Sequence, residues 1–167
     1  MSGAATVIAS ETRLCTFYLG DERYGIDILT VREVQRGPVV TAVRGAHRAI
    51  RGLVNLRGRV VTVLDPAVQL GHDERPLDAK TRLVILKTNA ELPRVEGAPL
   101  ETGDDRVGLC VDRISDVHTV EAGGIDPLPM HVSGSEGRLS GVVQLEDEVI
   151  RVMDPAAMLR LEEDERA

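Results

Sequence analysis

The chain has 167 residues and a mass of 18.1 kDa, with 43% hydrophobic and 28% charged residues and a formal net charge of −7. These proportions exclude a disordered polymer and predict a soluble globular chain that buries about two-thirds of its unfolded surface. Aromatic residues make up only 2%, namely Phe17, Tyr18 and Tyr24, and Trp is absent. The core must therefore be Val, Leu and Ile, and the base-stacking platforms of single-strand nucleic-acid binders are missing.

Arg13–Leu19 alternates loosely and predicts a strand, turned by Gly20-Asp21 into a second strand, Arg23–Asp27. Ile28, Leu29, Val31 and Val34 follow at closer spacing, a helical turn leading into a third strand. Val39–Val43 reads as a further short strand and Ala46–Ile50 as one helical turn. Leu53–Leu56 and Arg59–Leu64 are separated by Arg57-Gly58, a two-residue hairpin signal. Asp65-Pro66 opens a short helix that stops at Gly71, with Asp capping free amides and Pro lacking one. Residues 72–81 form a polar surface connection. Arg82–Lys87 is a strand, residues 88–105 a long hairpin loop, and Arg106–Val111 and Ile114–Val120 are strands. Residues 121–137 are irregular, Leu139–Leu145 and Glu148–Met153 are strands, and Asp154-Pro155 starts a terminal helix that fades into Glu162–Glu165. Short strands and tight turns with little helix predict small barrels rather than a βαβ sheet.

An internal repeat accompanies this pattern. Gly52–Leu70 and Gly141–Leu159 agree at nine of 19 positions at a constant offset of 89 residues. What is matched is physical: Gly, apolar strand, two-residue turn, apolar strand, Asp-Pro cap, short helix. A weaker pair is Gly25–Ile28 with Val31 and Val34 against Gly108–Val111 with Ile114 and Val117. The chain thus divides into two similar lobes.

Enzyme chemistry finds little support. His47, His72, His118 and His131 show no metal-ligand spacing, so no metal site is expected. Gly134, Gly137 and Gly141 form a loose series with no phosphate-loop lysine, and Ser133 and Ser135 read as turn formers. Cys15 and Cys110 each stand alone in a strand-like run, as buried free thiols of a reducing cytosol would. Asp65 and Asp154 read as helix caps rather than paired catalytic carboxylates. No apolar run is long enough to span a membrane and no signal peptide is evident, so a cytoplasmic protein is expected.

A basic surface remains. Between residues 32 and 59 stand seven arginines, Arg32, Arg36, Arg44, Arg48, Arg51, Arg57 and Arg59, against one acid, Glu33. The first 71 residues carry a net charge of +3 and the remainder −10, a balance that disfavours nucleic acid as the partner. Arginine's rigid donor fork suits carboxylates at protein interfaces. In the repeat, Arg57 and Arg59 become Glu146 and Glu148: the backbone pattern is kept while the charge at the turn is inverted.

LGDERYGIDILTVREV (Leu19–Val34), RGLVNLRGRVVTVLD (Arg51–Asp65), VGLCVDRISDV (Val107–Val117) and the closing unit Leu139–Leu159 closely resemble the CheW-like family of chemotaxis coupling proteins. The resemblance covers residues 13–160. It implies an all-β fold of two intertwined five-stranded SH3-like barrels with short helices, including a C-terminal one. It implies a single domain over 13–160, with lobes at about 13–80 and 81–160 between which strands can be exchanged, and flexible termini at 1–12 and 161–167. It implies no enzyme activity and no cofactor. The implied role is a cytoplasmic adaptor joining the cytoplasmic tips of methyl-accepting chemoreceptors to the regulatory domain of a CheA-type histidine kinase, recruited to membrane-associated receptor arrays without entering the membrane. Residue by residue, Val31 and Glu33 match the VxE positions tied to partner binding, Arg57 the Arg of NLRG, and Gly52 the glycine ahead of it. The sequence departs from the family pattern in the basic run Val43–Arg48, in Pro66–Gln69, which lacks an expected Arg, and in the turn Glu146-Asp147-Glu148, where Asp-Gly is common. These departures leave room for a diverged scaffold serving another kinase-linked or polar-localisation pathway.

Overall fold

The structure, a computed structural model, describes residues 11–37, 39–94, 100–129 and 137–162. The expected flexible termini fall outside these residues except for 11, 12, 161 and 162; so do His131, Ser133, Gly134 and Ser135.

Among the described residues, ten strands and two short α-helices follow one another. β1 (Thr12–Leu19) and β2 (Glu22–Asp27) form the first hairpin, with Gly20 at φ 63° in its turn. Asp27 then accepts from the Leu29 amide at 2.9 Å and caps a single 3-10 turn, Ile28–Thr30, which feeds β3 (Val31–Arg36). β4 (Ile50–Leu56) and β5 (Arg59–Leu64) make the second hairpin, followed by α1 (Pro66–Gln69). Then come β6 (Arg82–Leu86), β7 (Val107–Val111), β8 (Arg113–Val120), β9 (Leu139–Gln144), β10 (Val149–Met153) and α2 (Pro155–Leu159). Both Asp-Pro units act as read from the sequence: Asp65 accepts from the Ala67 amide at 3.0 Å and Asp154 from the Ala157 amide at 3.3 Å.

The strands form two mixed five-stranded sheets, in the orders β8-β1-β2-β10-β9 and β3-β6-β7-β5-β4. The first therefore takes strands from both ends of the chain, and its β2–β10 pairing is parallel, as is β5–β7 in the second.

Neither sheet is closed, which corrects the expected pair of SH3-like barrels. The edge strands, β8 and β9 in one sheet and β3 and β4 in the other, share no ladder. Across each gap, among the described residues, runs a single antiparallel bridge, Thr41–Leu53 in one sheet and Asp126–Val142 in the other. The physical reason is that the chain leaves the sheet after β3 and after β8, returning for one residue pair only. The expected strand Val39–Val43 does not form. Val39 is 92% exposed and Val43 44%, so their apolar character reflects no burial and no ladder holds them. In place of the expected helical turn at Ala46–Ile50 there is a hydrogen-bonded turn, the Ile50 amide donating to the His47 carbonyl at 2.8 Å, and Ile50 already begins β4. At both bridges the backbones approach so closely that glycine is needed. A Cβ on Gly52, whose φ is 147°, would collide with the Thr41 carbonyl oxygen, and one on Gly141 would lie 2.6 Å from that of Asp126.

Alternation divides the apolar side chains among three clusters. Cys15, Phe17, Leu19, Tyr24 and Ile26 from the first sheet meet Leu64, Val84, Leu86, Leu109 and Val111 from the second, with Met153 and Met158, in a central core between the sheets. The opposite face of the second sheet gathers Val54, Val61, Val63, Leu83, Ile85 and Cys110; that of the first gathers Leu14, Val120, Val143, Ile150 and Val152. Strands buried on both faces explain why β6 and β7 read as continuous apolar runs.

Candidate functional site

The β4–β5 turn is built by local chemistry. Arg57 and Gly58 have φ values of 52° and 82°, both positive as a type I′ hairpin requires, and Asn55 Oδ1 accepts from the Gly58 amide at 2.9 Å. The turn projects Arg57 with 70% of its side chain exposed. Its guanidinium is ion-paired with Glu33 on edge strand β3, and Gln35 Nε2 donates to the same carboxylate oxygen at 2.6 Å. These contacts hold the Glu33 carboxyl below its ordinary range: the Gln35 hydrogen bond contributes most, burial opposes it as the next largest effect, and Arg57 and then Arg32 add to the lowering.

Beside this pair lies a hollow of about 100 Å³, floored by Leu56, Val61 and Ile85 and rimmed by Arg32, Arg57, Arg59 and Arg106. Glu91 ties down two of the rim cations: it is ion-paired with Arg32 and lies 3.4 Å from Arg106. Its own carboxyl is held below the usual range, chiefly by the Thr88 amide, which donates at 3.0 Å. Four arginines thus face two glutamates around an apolar floor, an arrangement suited to receiving further carboxylates.

The structure brings only two of the four expected site residues together. A β-bulge between Val31 and Glu33 shifts the register, so Val31 lies opposite Leu86 while Glu33 lies opposite Ile85. Residues directly opposite share a face. Val31 therefore packs, half-buried, on the central core, and Glu33 turns to the hollow. Gly52 sits at the bridge to Thr41 and serves backbone approach. The seven-arginine surface is also divided. Arg51 is largely buried, its side chain 10% exposed, and bonded to Asp65 at 2.9 Å, Glu74 at 3.1 Å and the Arg75 carbonyl at 2.8 Å, while Arg36, Arg44 and Arg48 are exposed away from the hollow. Sequence reading missed Gln35, Glu91 and Arg106. Gln35 was accessible through strand alternation with Glu33; Glu91 and Arg106 arrive from the ends of the 88–105 loop, which spacing alone does not place.

Cys15 and Cys110 are buried free thiols; burial raises both, Cys110 to about 12, so neither is ionised at neutral pH. Among the described residues no three His, Cys, Asp or Glu side chains converge as a metal would need, and no helix is long and apolar enough to cross a membrane.

A family profile described as CheW-like domain matches residues 13–163. A chemotaxis protein CheW of Klebsiella aerogenes is 32% identical over 98% of this chain and 93% of its own length. The chemotaxis protein CheW of Rhizobium meliloti is 27% identical over the whole of both chains. The crystal structure of the scaffolding protein TtCheW from Thermoanaerobacter tengcongensis superimposes with a TM-score of 0.73, covering 93% of this chain and 97% of that one. At 23% identity, this last likeness speaks to the fold alone.

Proposed function

The chain belongs to the CheW-like family, and from that membership we propose how it acts. It is a non-enzymatic adaptor of chemosensory signalling. Residues 13–160 work as one unit that bridges the cytoplasmic tip of methyl-accepting chemoreceptors and the regulatory domain of a CheA-type histidine kinase. The unit is drawn thereby to receptor arrays on the cytoplasmic side of the membrane.

The observation that carries this reading is the ion pair between Arg57, on an exposed hairpin turn, and Glu33, on an edge strand, beside an arginine-rimmed apolar hollow. A pre-positioned guanidinium over Leu56, Val61 and Ile85 supports docking of a partner segment that offers an apolar side chain flanked by carboxylates. Glu33 and Arg57 make the contact. Val31 and Gly52 act through it, Val31 by seating β3 on the core and Gly52 by fixing the start of β4.

Co-purification with the receptors and kinases of the same cell tests the assignment. Arg57→Glu places like charge against Glu33 and removes a rim cation, yet touches no core residue. The variant is expected to keep its far-UV circular dichroism and to lose at least about tenfold in partner capture. Capture equal to wild type would remove Arg57 from the binding surface.

A further inference from the structure

β3 carries one residue more than its neighbour can pair. Val31 lies opposite Leu86 and Glu33 opposite the next residue, Ile85, so Arg32 has no residue across from it on β6 and is itself the bulge. The bulge decides which way Glu33 faces. In an unbroken strand Glu33 would share the face of Val31, which packs on the central core; with the bulge it turns to the hollow and meets Arg57. Something must hold a residue that the ladder does not. The Arg32 guanidinium, 39% exposed, is ion-paired with Glu91.

Glu91 is placed without help from Arg32. It ends a 3-10 turn, Asn89–Glu91, and its Oε1 accepts from the Thr88 amide at 3.0 Å and the Thr88 hydroxyl at 3.1 Å. That leaves Oε2 for Arg32 and, at 3.4 Å, for Arg106. The turn is tied down in its own right. The Asn89 amide donates to the Gly103 carbonyl at 2.8 Å, the Thr102 amide to Asn89 Oδ1 at 2.8 Å, and the buried Thr102 hydroxyl to the Lys87 carbonyl at 2.7 Å. The carboxylate is therefore a fixed post, set by local hydrogen bonds, to which the bulged arginine is fastened. Glu91 is not among the residues lining the hollow, so any effect it has on a bound partner passes through Arg32.

We propose that Glu91 is a positioning residue of the partner-binding surface: by holding Arg32 it keeps the β3 bulge, and through the bulge it keeps Glu33 turned to Arg57 at the hollow. What the surface binds rests on the adaptor reading; how Glu33 is aimed does not. The base of the 88–105 loop thereby becomes part of the binding apparatus, although it stands behind the surface that a partner touches.

Glu91→Gln tests this, since it keeps the size of the side chain and an acceptor for Thr88 but removes the charge that holds Arg32. In an NMR titration of the Glu33 carboxyl, two effects of the change have opposite signs. Loss of a nearby negative charge favours the Glu33 anion and lowers the midpoint, whereas release of Glu33 from Arg57 raises it. The midpoint should rise. One that falls or stays overturns the proposal.

Binding to the full-length CheA-type kinase of the same cell gives the second readout. Glu91→Gln should dissociate at least about tenfold faster, with association at low ionic strength no slower than wild type, because the surface has lost an acid and kept its cations. A general folding defect would slow association as well. Arg32→Gln should also dissociate faster, and the double variant no faster than Arg32→Gln alone, because Glu91 acts through Arg32. Losses that add, or a Glu91→Gln chain that dissociates like wild type, overturn the proposal. A wild type that ignores the kinase defeats the adaptor reading instead, and the Glu33 titration alone then decides the positioning.

Discussion

Glu33 receives a neutral amide donor from Gln35 and a guanidinium from Arg57 on the same carboxylate oxygen, and both favour its ionised form. With the folded-state carboxyl held below its ordinary range, the stabilisation is present above the unfolded-state range and is lost as pH falls through the folded-state midpoint. In an NMR titration of the Glu33 side-chain carboxyl, Gln35→Leu and Arg57→Gln should each raise the midpoint; a midpoint that neither change moves would mean the contacts do not persist in solution. This residue also marks the limit of what spacing reveals. Positions i and i+2 of a strand share a face, so V-x-E places Val31 and Glu33 side by side. The bulge at Arg32 breaks that rule, and nothing in the letters VRE announces a bulge.

At the scale of elements, what the sequence made legible was local chemistry. The Arg57-Gly58 turn, the two Asp-Pro caps and the stop at Gly71 each follow from the preferences of two or three adjacent residues. The segment after β3 was not legible, because Val39 and Val43 look like a strand while lying exposed. The repeat conceals a second difference, between its two caps. Asp65 is 3% exposed and bonds the largely buried Arg51 as well as the Ala67 amide, whereas Asp154 is half-buried and only caps. Asp65→Ala removes a cap and leaves the Arg51 charge inside with only part of its compensation, at a cost of about 3 kcal/mol. Asp154→Ala forfeits a cap alone, about 1 kcal/mol. Urea unfolding of the two variants should separate them in that order, and equal losses would show that the Arg51–Asp65 bond adds nothing to the cap.

For the whole molecule, strand content was readable but strand partnership was not. A hairpin is announced by its turn. The parallel pairings of Tyr24 with Arg151 and of Val63 with Gly108 join segments far apart in sequence, and no neighbouring residue signals them. The same holds for closure: five strands per sheet suggest a barrel, but whether the edges meet depends on whether the chain after β3 and β8 stays in the sheet. These pairings predict how the chain responds to being cut at residue 80. The N-terminal piece keeps β1 and β2 without β8, β9 and β10, and keeps β4 and β5 without β6 and β7. The C-terminal piece loses β2 from beside β10 and β5 from beside β7. Each piece also holds only part of the central core, since Phe17, Tyr24 and Leu64 fall on one side of the cut and Leu86, Leu109 and Met158 on the other. Buried strands left with unpaired backbone groups and half a core do not fold. Fragments 1–80 and 81–167 should each give a disordered circular dichroism spectrum alone and regain strand signal on mixing. Cooperative thermal unfolding by either fragment on its own would show that the sheets do not depend on the exchange, and the two hairpin units of the repeat would then be independent folding modules rather than parts of one.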